Sequence, residues 1–314
     1  MTAVTPDFRS GFVSIVGRPN VGKSTLVNRL VGEKVSIVST KPQTTRTQVR
    51  GVRTTPGSQM VLLDTPGIHK PRTLLGERCN ERSVQTLREV DVVCLMIEAD
   101  AAIGPGDTFI AGLTAQAGVP RLLVVNKTDR AGPTQIAERL ASASELLGEF
   151  AAYFPVSART GDGTDALLTE LERSLPPGPA YYPSGVVSDQ PEAVLVAELL
   201  RERLLAVARD ELPHSITVTA EEMEDEDDER AGPDAPEAAE GLAPLLRFRA
   251  VVHVERESQK GIVIGKGGRV IRDAGTSARK ELETLLGARV YLETHVKVDP
   301  DWQRRAHSLD RLGL

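Results

Sequence analysis

The run Gly17-Arg18-Pro19-Asn20-Val21-Gly22-Lys23-Ser24 matches the pattern G-x-x-x-x-G-K-[ST], and it constrains the fold more than any other feature of the chain. Such a loop works between a strand and a helix. Its glycines let backbone N–H groups turn inward onto phosphate oxygens, and the helix N-terminus adds partial positive charge. Both neighbours are legible: Phe12 to Val16 is a short β-branched run, and Thr25 to Val31 has the pattern of first helical turns. Strand, loop and helix together predict a nucleoside triphosphate site built from Gly17 to Thr25. Lys23 is expected to reach the β and γ phosphates as a catalytic charge, and the Ser24 hydroxyl to ligate Mg²⁺.

At 314 residues the chain has room for two domains, and 40% hydrophobic with 26% charged residues is an ordinary soluble composition. Its apolar runs, such as Val92 to Ile97 and Leu122 to Val125, have the length of buried parallel strands rather than of membrane spans. Met1 to Ser10 has no apolar core segment, so no signal peptide is expected. The two cysteines, Cys79 and Cys94, form no metal spacing or disulfide framework, and a reducing, cytoplasmic setting is expected. The net charge of −6 hides an asymmetry, because Glu221 to Ala243 carries eleven acids and one arginine. From Pro244 onward fourteen Lys and Arg face nine Asp and Glu, a basic balance that suits a nucleic-acid partner.

From Gly11 to about Leu175, strand-like runs near residues 12–16, 60–63, 90–97, 121–125 and 153–156 are separated by helices or loops. This predicts an α/β doubly wound sheet covered on both faces. The Pro-rich stretch Pro176 to Pro183 places a boundary near residue 180, with a first domain over 1–178, a linker over 179–190 and a second domain over 191–314. There, Pro191 to Asp210 carries a helical stripe and Ser215 to Ala220 a strand. Residues 221–243 are expected to be a disordered acidic insertion. A strand over Leu246 to Glu255, helices over Ser258 to Ile264 and Gly268 to Leu286, a strand over Arg289 to Val298 and an amphipathic segment over Trp302 to Leu312 complete the pattern.

Four further segments fall at strand ends, where a doubly wound sheet presents its ligands. In Asp64-Thr65-Pro66-Gly67 the carboxylate can hold Mg²⁺ through water, and Gly67 offers a catalytic backbone N–H to a γ-phosphate. In Asn126-Lys127-Thr128-Asp129 the carboxylate of Asp129 can accept from N1–H and N2–H₂ of guanine, a donor pair that adenine lacks; this decides for GTP over ATP. The stem of Lys127 can lie along the base, and Asn126 can brace the phosphate loop. The backbone of Val156-Ser157-Ala158 is placed to contact guanine O6. In Gln43-Thr44-Thr45-Arg46 a threonine hydroxyl, Thr45 by preference, completes the Mg²⁺ shell with triphosphate bound and lets go after hydrolysis.

In the second domain, Gly265-Lys266-Gly267-Gly268 joins two helices by G-x-x-G, the loop with which KH modules clamp about four nucleotides. Lys266, Arg269 and Arg272 supply positive charge, and Ile262, Ile264 and Ile271 can line a groove against bases. The order helix-strand-strand-helix-helix-strand resembles the bacterial, type II KH fold, an α+β domain. Trp302, Arg304, Arg305 and Arg311 either sit on anionic lipid or belong to a helix packed on this domain, the preferred reading.

G-R-P-N-V-G-K-S, Q-T-T-R, D-T-P-G, N-K-T-D and V-S-A, in this order, resemble the translation-factor-related bacterial GTPases. With the linker and KH module the resemblance narrows to the Era family, over essentially the whole chain. It implies GTP and GDP binding and slow GTP hydrolysis. It also implies binding of the single-stranded 3′ end of 16S rRNA during 30S subunit assembly, and contact with the inner membrane surface. The acidic insertion is longer than the family pattern requires.

Ile68 follows D-T-P-G where many small GTPases carry glutamine, and it cannot orient water by hydrogen bonding. Slow turnover is therefore expected, helped by backbone groups, a partner or a monovalent cation such as K⁺ near Asn20. A monomer is expected. A GTP-dependent RNA-binding regulator without significant turnover and a GTPase of tRNA modification are the alternatives.

Overall fold

The structure, a computed structural model, describes residues 8–41, 43–208, 212–223 and 244–314. The chain divides into two compact units between Asp189 and Gln190.

In the first unit, strand β1 (Arg9–Gly17), helix α1 (Lys23–Val31), β2 (Val49–Thr54), β3 (Ser58–Asp64) and α2 (Leu74–Thr86) come first. Then follow β4 (Val92–Glu98), α3 (Pro105–Ala115), β5 (Arg121–Asn126), α4 (Pro133–Leu146), β6 (Ala152–Pro155) and α5 (Thr164–Ser174). The strands form one sheet in the order β2-β3-β1-β4-β5-β6, parallel throughout except for β2, which runs antiparallel to β3. Alternate residues of the central strands feed two cores. Ile15, Cys94 and Met96 pack with Leu30 of α1 and Leu167 of α5, while Val16, Leu95 and Ile97 pack with Ile110 of α3 and Ala143 of α4. Burial on both faces is why these strands read as unbroken apolar runs. It also pushes the Cys94 thiol up to about 12, so this cysteine is packing.

Strand β2 was not expected from the sequence, which there reads as polar loop. It is an edge strand whose Gly51 lies under α1; a Cβ at this position would stand 2.6 Å from Val31 Cγ2. The stretch expected to be a linker over 179–190 is instead laid along the first unit. The Gln59 side chain, fully buried, accepts from the backbone N–H groups of Tyr181 at 2.6 Å and Tyr182 at 2.9 Å and donates to the Tyr182 carbonyl at 2.9 Å. Further along, the Val52 N–H donates to Val187 O at 2.8 Å, and Asp189 takes Arg50 at 3.0 Å and the Tyr182 hydroxyl at 2.8 Å. Proline keeps this segment out of helix, and the edge of β2 gives its backbone partners.

The second unit contains α6 (Glu192–Val207), α7 (Leu212–Ser215), β7 (Thr217–Glu222), β8 (Leu245–Val254), α8 (Glu257–Ile264), α9 (Arg269–Leu286), β9 (Arg289–Val298) and α10 (Ala306–Arg311). Its sheet has the order β7-β8-β9, with β8 antiparallel to β7 and parallel to β9. Phe248, Ala250, Val252 and Val254 alternate into the core, where Leu199 and Leu204 of α6 and Ala278 and Leu282 of α9 are buried with them. Glu221 and Glu222, assigned above to the acidic insertion, extend β7 by pairing with Arg249 and Phe248, and the buried Met223 donates its N–H to Arg247 O at 2.9 Å; residues 224–243 of that insertion lie outside the described residues. The segment after β9 is broken at Arg305 into a single 3₁₀ turn (Trp302–Arg304) and α10. Trp302 is fully buried and its indole N–H donates to the Ser215 carbonyl at 3.0 Å, so it packs within this unit and is not exposed for lipid contact.

Candidate functional site

At the C-terminal ends of the parallel strands lies a cavity of about 710 Å³. Its wall includes Pro19, Asn20, Gly22, Lys23, Ser24 and Thr25 from the glycine-rich loop, Gln43, Thr44 and Thr45, then Gly67, and finally Asn126, Lys127, Asp129 and Ala158. Segments separate in sequence thus meet at one site because every strand of a parallel sheet ends on the same side.

The loop is held tightly. Gly22 has φ 104°, and a Cβ there would stand 2.3 Å from the Asn126 amide nitrogen. That amide donates to the Val21 carbonyl at 2.7 Å, while the Asn126 Oδ1 accepts from the Ala158 N–H at 2.9 Å. Asn126 thereby braces the loop against the segment after β6. Lys23 donates to the carbonyls of Arg18 at 2.9 Å and Gly17 at 3.2 Å. Burial lowers its ammonium to about 8 despite the attraction of Asp64.

Ser24, Thr45 and Asp64 converge: the two hydroxyls are 3.0 Å apart, and that of Thr45 donates to Asp64 Oδ2 at 3.3 Å. Asp64 Oδ1 is buried without a hydrogen-bond partner, and desolvation raises the carboxyl above its ordinary value. An oxygen donor set with one orphaned buried carboxylate oxygen fits a hard divalent cation such as Mg²⁺. Gly67 sits against the loop so closely that a Cβ would be 2.7 Å from Pro19 N, and the next N–H, of Ile68, donates to the Gly17 carbonyl at 3.3 Å.

At the far end of the cavity, Asp129 accepts from the Ser157 hydroxyl at 2.7 Å and from Arg159 at 2.9 Å. The Ser157 hydrogen bond, with help from Arg159 and Arg130, holds this carboxyl below its usual range, so it is a carboxylate at neutral pH. Lys127, at φ 67°, is ion-paired with Glu98.

Other expected residues support the site without lining it. The Thr65 hydroxyl donates to the Ile15 carbonyl at 2.9 Å, Val156 belongs to the core, and Arg46 is buried, with its carbonyl 3.5 Å from Cys79 Sγ. Arg18 turns to Asp107 at 2.8 Å. Asp64, Pro66 and Thr128 stand behind the wall, with the Pro66 carbonyl accepting from Ser83 at 2.9 Å and the Thr128 N–H donating to Val156 O at 3.2 Å. Sequence reasoning missed Val38, Ser39, Thr40, Glu98, Arg130 and Arg159, which do line the cavity. For Arg159 the signal was its place directly after Val156-Ser157-Ala158.

In the second unit, Gly265, Gly267 and Gly268 have φ values of 70°, 62° and 75°. A Cβ on Gly265 would be 2.5 Å from Val270 Cγ2, whereas one on Gly267 would meet nothing within 4 Å. This tight turn borders a groove of about 380 Å³ lined by Gly268, Ile271, Arg272, Arg279, Leu292 and Thr294, among others. Arg272 steadies the turn by donating to the Gly267 carbonyl at 3.1 Å. Lys266 is in the turn, and Arg269 is exposed beside Asp273 at 3.5 Å. Ile264 ends α8, while Ile262, 58% exposed, lines a separate apolar depression with Val207 and Val270 and is not part of the groove. The contribution of β9, Leu292 and Thr294, was not anticipated.

Residues 12–127 match the family model of the 50S ribosome-binding GTPase, and residues 238–303 match that of the KH domain. The chain is 49% identical to the GTPase Era of Mycolicibacterium smegmatis, with 98% of this chain and 99% of that protein covered. It is 48% identical to the GTPase Era of Mycobacterium tuberculosis, with the same coverage. The solved structure of Era in complex with MgGDPNP and nucleotides 1506–1542 of 16S ribosomal RNA is similar with a TM-score of 0.89 at 37% identity, over 98% of this chain and 99% of that one. That of a single-residue variant of Aquifex aeolicus Era bound to GDP·AlF₄⁻ is similar with a TM-score of 0.88 at 35% identity, over 98% and 99% of the two chains. With close to half of its residues identical to those relatives along nearly their full length, and with both domains matched, the chain belongs to the Era family of GTPases.

Proposed function

We propose that this chain is a GTP-hydrolysing switch that binds the 3′ end of 16S rRNA through its KH domain and acts, as a cytoplasmic monomer, in 30S subunit assembly. The reading is carried by the presence in one chain of a cavity ending in an ionised Asp129 and of a groove beside a G-x-x-G turn. Asp129 accepts the N1–H and N2–H₂ of guanine, which adenine does not offer. Asn126 keeps the loop and the base-binding segment in register. The relative solved with MgGDPNP and a 16S rRNA fragment matches this chain over nearly its full length, both domains included.

Ser24, Thr45 and Asp64 are the residues that would hold Mg²⁺, which when bound supplies positive charge at the β and γ phosphates. On binding triphosphate, the Lys23 ammonium leaves the carbonyls of Gly17 and Arg18 for phosphate oxygens and offsets charge that develops on the β-phosphate of the departing GDP. The Gly67 N–H reports whether a γ-phosphate is present. Ile68 is buried in the core and offers no polar side chain to an attacking water. Turnover is therefore slow, and it rises with a partner or with K⁺ seated at Asn20, which donates to the Thr40 carbonyl at 2.9 Å. In any peripheral membrane contact the exposed Arg304 and Arg305 are the residues that would meet anionic lipid, since Arg311 is paired with Asp299.

Two measurements test this reading. Multiple-turnover phosphate release, with and without K⁺, should exceed that of Lys23→Ala; parity would make the chain a binding regulator. Crosslinking with GTP present, followed by sequencing, should return the 3′ end of 16S rRNA; recovery of tRNA instead would point to tRNA modification.

A further inference from the structure

We infer that Arg159 competes with guanine for the Asp129 carboxylate, so that guanine nucleotides bind by displacing it. The inference rests on the reading of Asp129 as the guanine-binding carboxylate.

Both carboxylate oxygens have donors. Oδ1 accepts from the Ser157 hydroxyl at 2.7 Å, and Oδ2 from Arg159 Nη2 at 2.9 Å. The guanidinium presents a planar fork of N–H groups, the same kind of donor array as the N1–H and C2 amino group of guanine. Arg159 also lines the cavity, so it occupies space on the side from which the base arrives.

Only its side chain is free to leave. The Arg159 backbone is fixed by Arg29, which donates to the Arg159 carbonyl at 2.7 Å and to the Ala158 carbonyl at 3.3 Å. The turn that follows is closed by Gly161 N–H on Ser157 O at 2.8 Å and by Thr160 N–H on the Ser157 hydroxyl at 3.2 Å. Against this fixed frame the Arg159 side chain is 78% exposed and that of Asp129 10% exposed. A pair with one solvent-exposed partner is weak, so it can be displaced by a ligand that adds stacking and phosphate contacts. Ser157, which has no charge to compete, stays and keeps the carboxylate oriented.

Arg159 slows association, since the productive encounter must wait for, or force, its departure.

Association and dissociation of a fluorescent GDP are to be followed by stopped flow in the full-length protein, for the unaltered chain, Arg159→Ala and Arg159→Lys. The association rate constant should rise about two- to fivefold in Arg159→Ala, the range a surface ion pair gives, with dissociation unchanged. Arg159→Lys should fall between. Inosine diphosphate, which must displace Arg159 as well, should associate faster with Arg159→Ala by a similar factor. An unchanged or slower association, or a faster dissociation, in Arg159→Ala would overturn the inference and make Arg159 a ligand of bound nucleotide. If instead the unaltered chain bound no GDP, or Asp129→Asn failed to move preference toward xanthosine diphosphate, the assignment of Asp129 itself would be at fault.

Discussion

Asn126 donates its amide N–H to the Val21 carbonyl at 2.7 Å and so ties the end of β5 to the glycine-rich loop, while its oxygen takes the Ala158 N–H at 2.9 Å. Three segments of the site depend on this one side chain, which is 2% exposed. Asn126→Ala leaves a buried carbonyl and a buried N–H without partners, at about 1–3 kcal/mol each. A lower melting temperature and a GDP affinity weakened by at least about tenfold are expected, read by thermal denaturation and by titration. Normal affinity in a well-folded variant would show that the brace is dispensable.

The pH dependence of the nucleotide-free protein should carry the mark of Lys23. Its ammonium is lowered by burial to about 8 from an ordinary value of 10.5. Between those two values the unfolded chain holds a proton that the folded one has released, so stability rises with pH across this window; below about 8 both states are protonated and the contribution is flat. Denaturant titrations from about pH 7.5 to about 10.5 should show the rise, and Lys23→Met should lose it. Equal slopes in the two proteins would contradict the assigned burial.

Ser24→Ala removes one hydroxyl from the cluster of Ser24, Thr45 and Asp64 without changing the backbone. GDP dissociation from the unaltered chain should accelerate when Mg²⁺ is chelated, and that acceleration should shrink severalfold in Ser24→Ala. Retention of full Mg²⁺ sensitivity would place the cation elsewhere.

In the KH domain, two glycine changes should separate fold from function. Gly265→Ala puts a Cβ 2.5 Å from Val270 Cγ2 at φ 70° and should lower stability by about 1–3 kcal/mol. At Gly267 a Cβ would meet no atom within 4 Å, so with Gly267→Asp the domain should stay folded at a modest strain cost while the carboxylate repels phosphate. RNA affinity should fall by at least about tenfold in a filter-binding or anisotropy assay. Unchanged RNA binding by a folded Gly267→Asp would remove this turn from the interface.

Gln59 holds the segment that follows the GTPase domain, so Gln59→Leu should free it. Partial proteolysis near Tyr181 to Gly185 should quicken, with a stability loss of about 1–3 kcal/mol from the lost hydrogen bonds to the N–H groups of Tyr181 and Tyr182. An unaltered cleavage pattern would mean that the proline-rich backbone holds its place without this side chain.

The central strands were legible because both of their faces are buried, which writes an unbroken apolar run into the sequence. Strand β2 was not, because an edge strand with Arg50, Gly51 and Arg53 carries no such run; its pairing with β3 and its place under α1 are long-range. The same holds for residues 179–190, where proline signalled only the absence of helix. Trp302 and the arginines after it read as one amphipathic helix, yet the break at Arg305 and the bond to Ser215 depend on a partner nearly ninety positions away in the chain.

What the sequence by itself determined was chemistry carried by contiguous residues. The glycine-rich loop, Asp64 to Gly67, Asn126 to Asp129 and Gly265 to Gly268 each need a local backbone shape or a fixed donor, and residue identity alone specifies these. What only the tertiary structure decided was company: Thr45 rather than Thr44 beside Ser24 and Asp64, Glu98 with Lys127, Leu292 and Thr294 in the groove beside the G-x-x-G turn, and Arg159 on Asp129. Those pairings join residues far apart in the chain. In the nucleotide site they arise because parallel strands deliver their loops to a common end of the sheet.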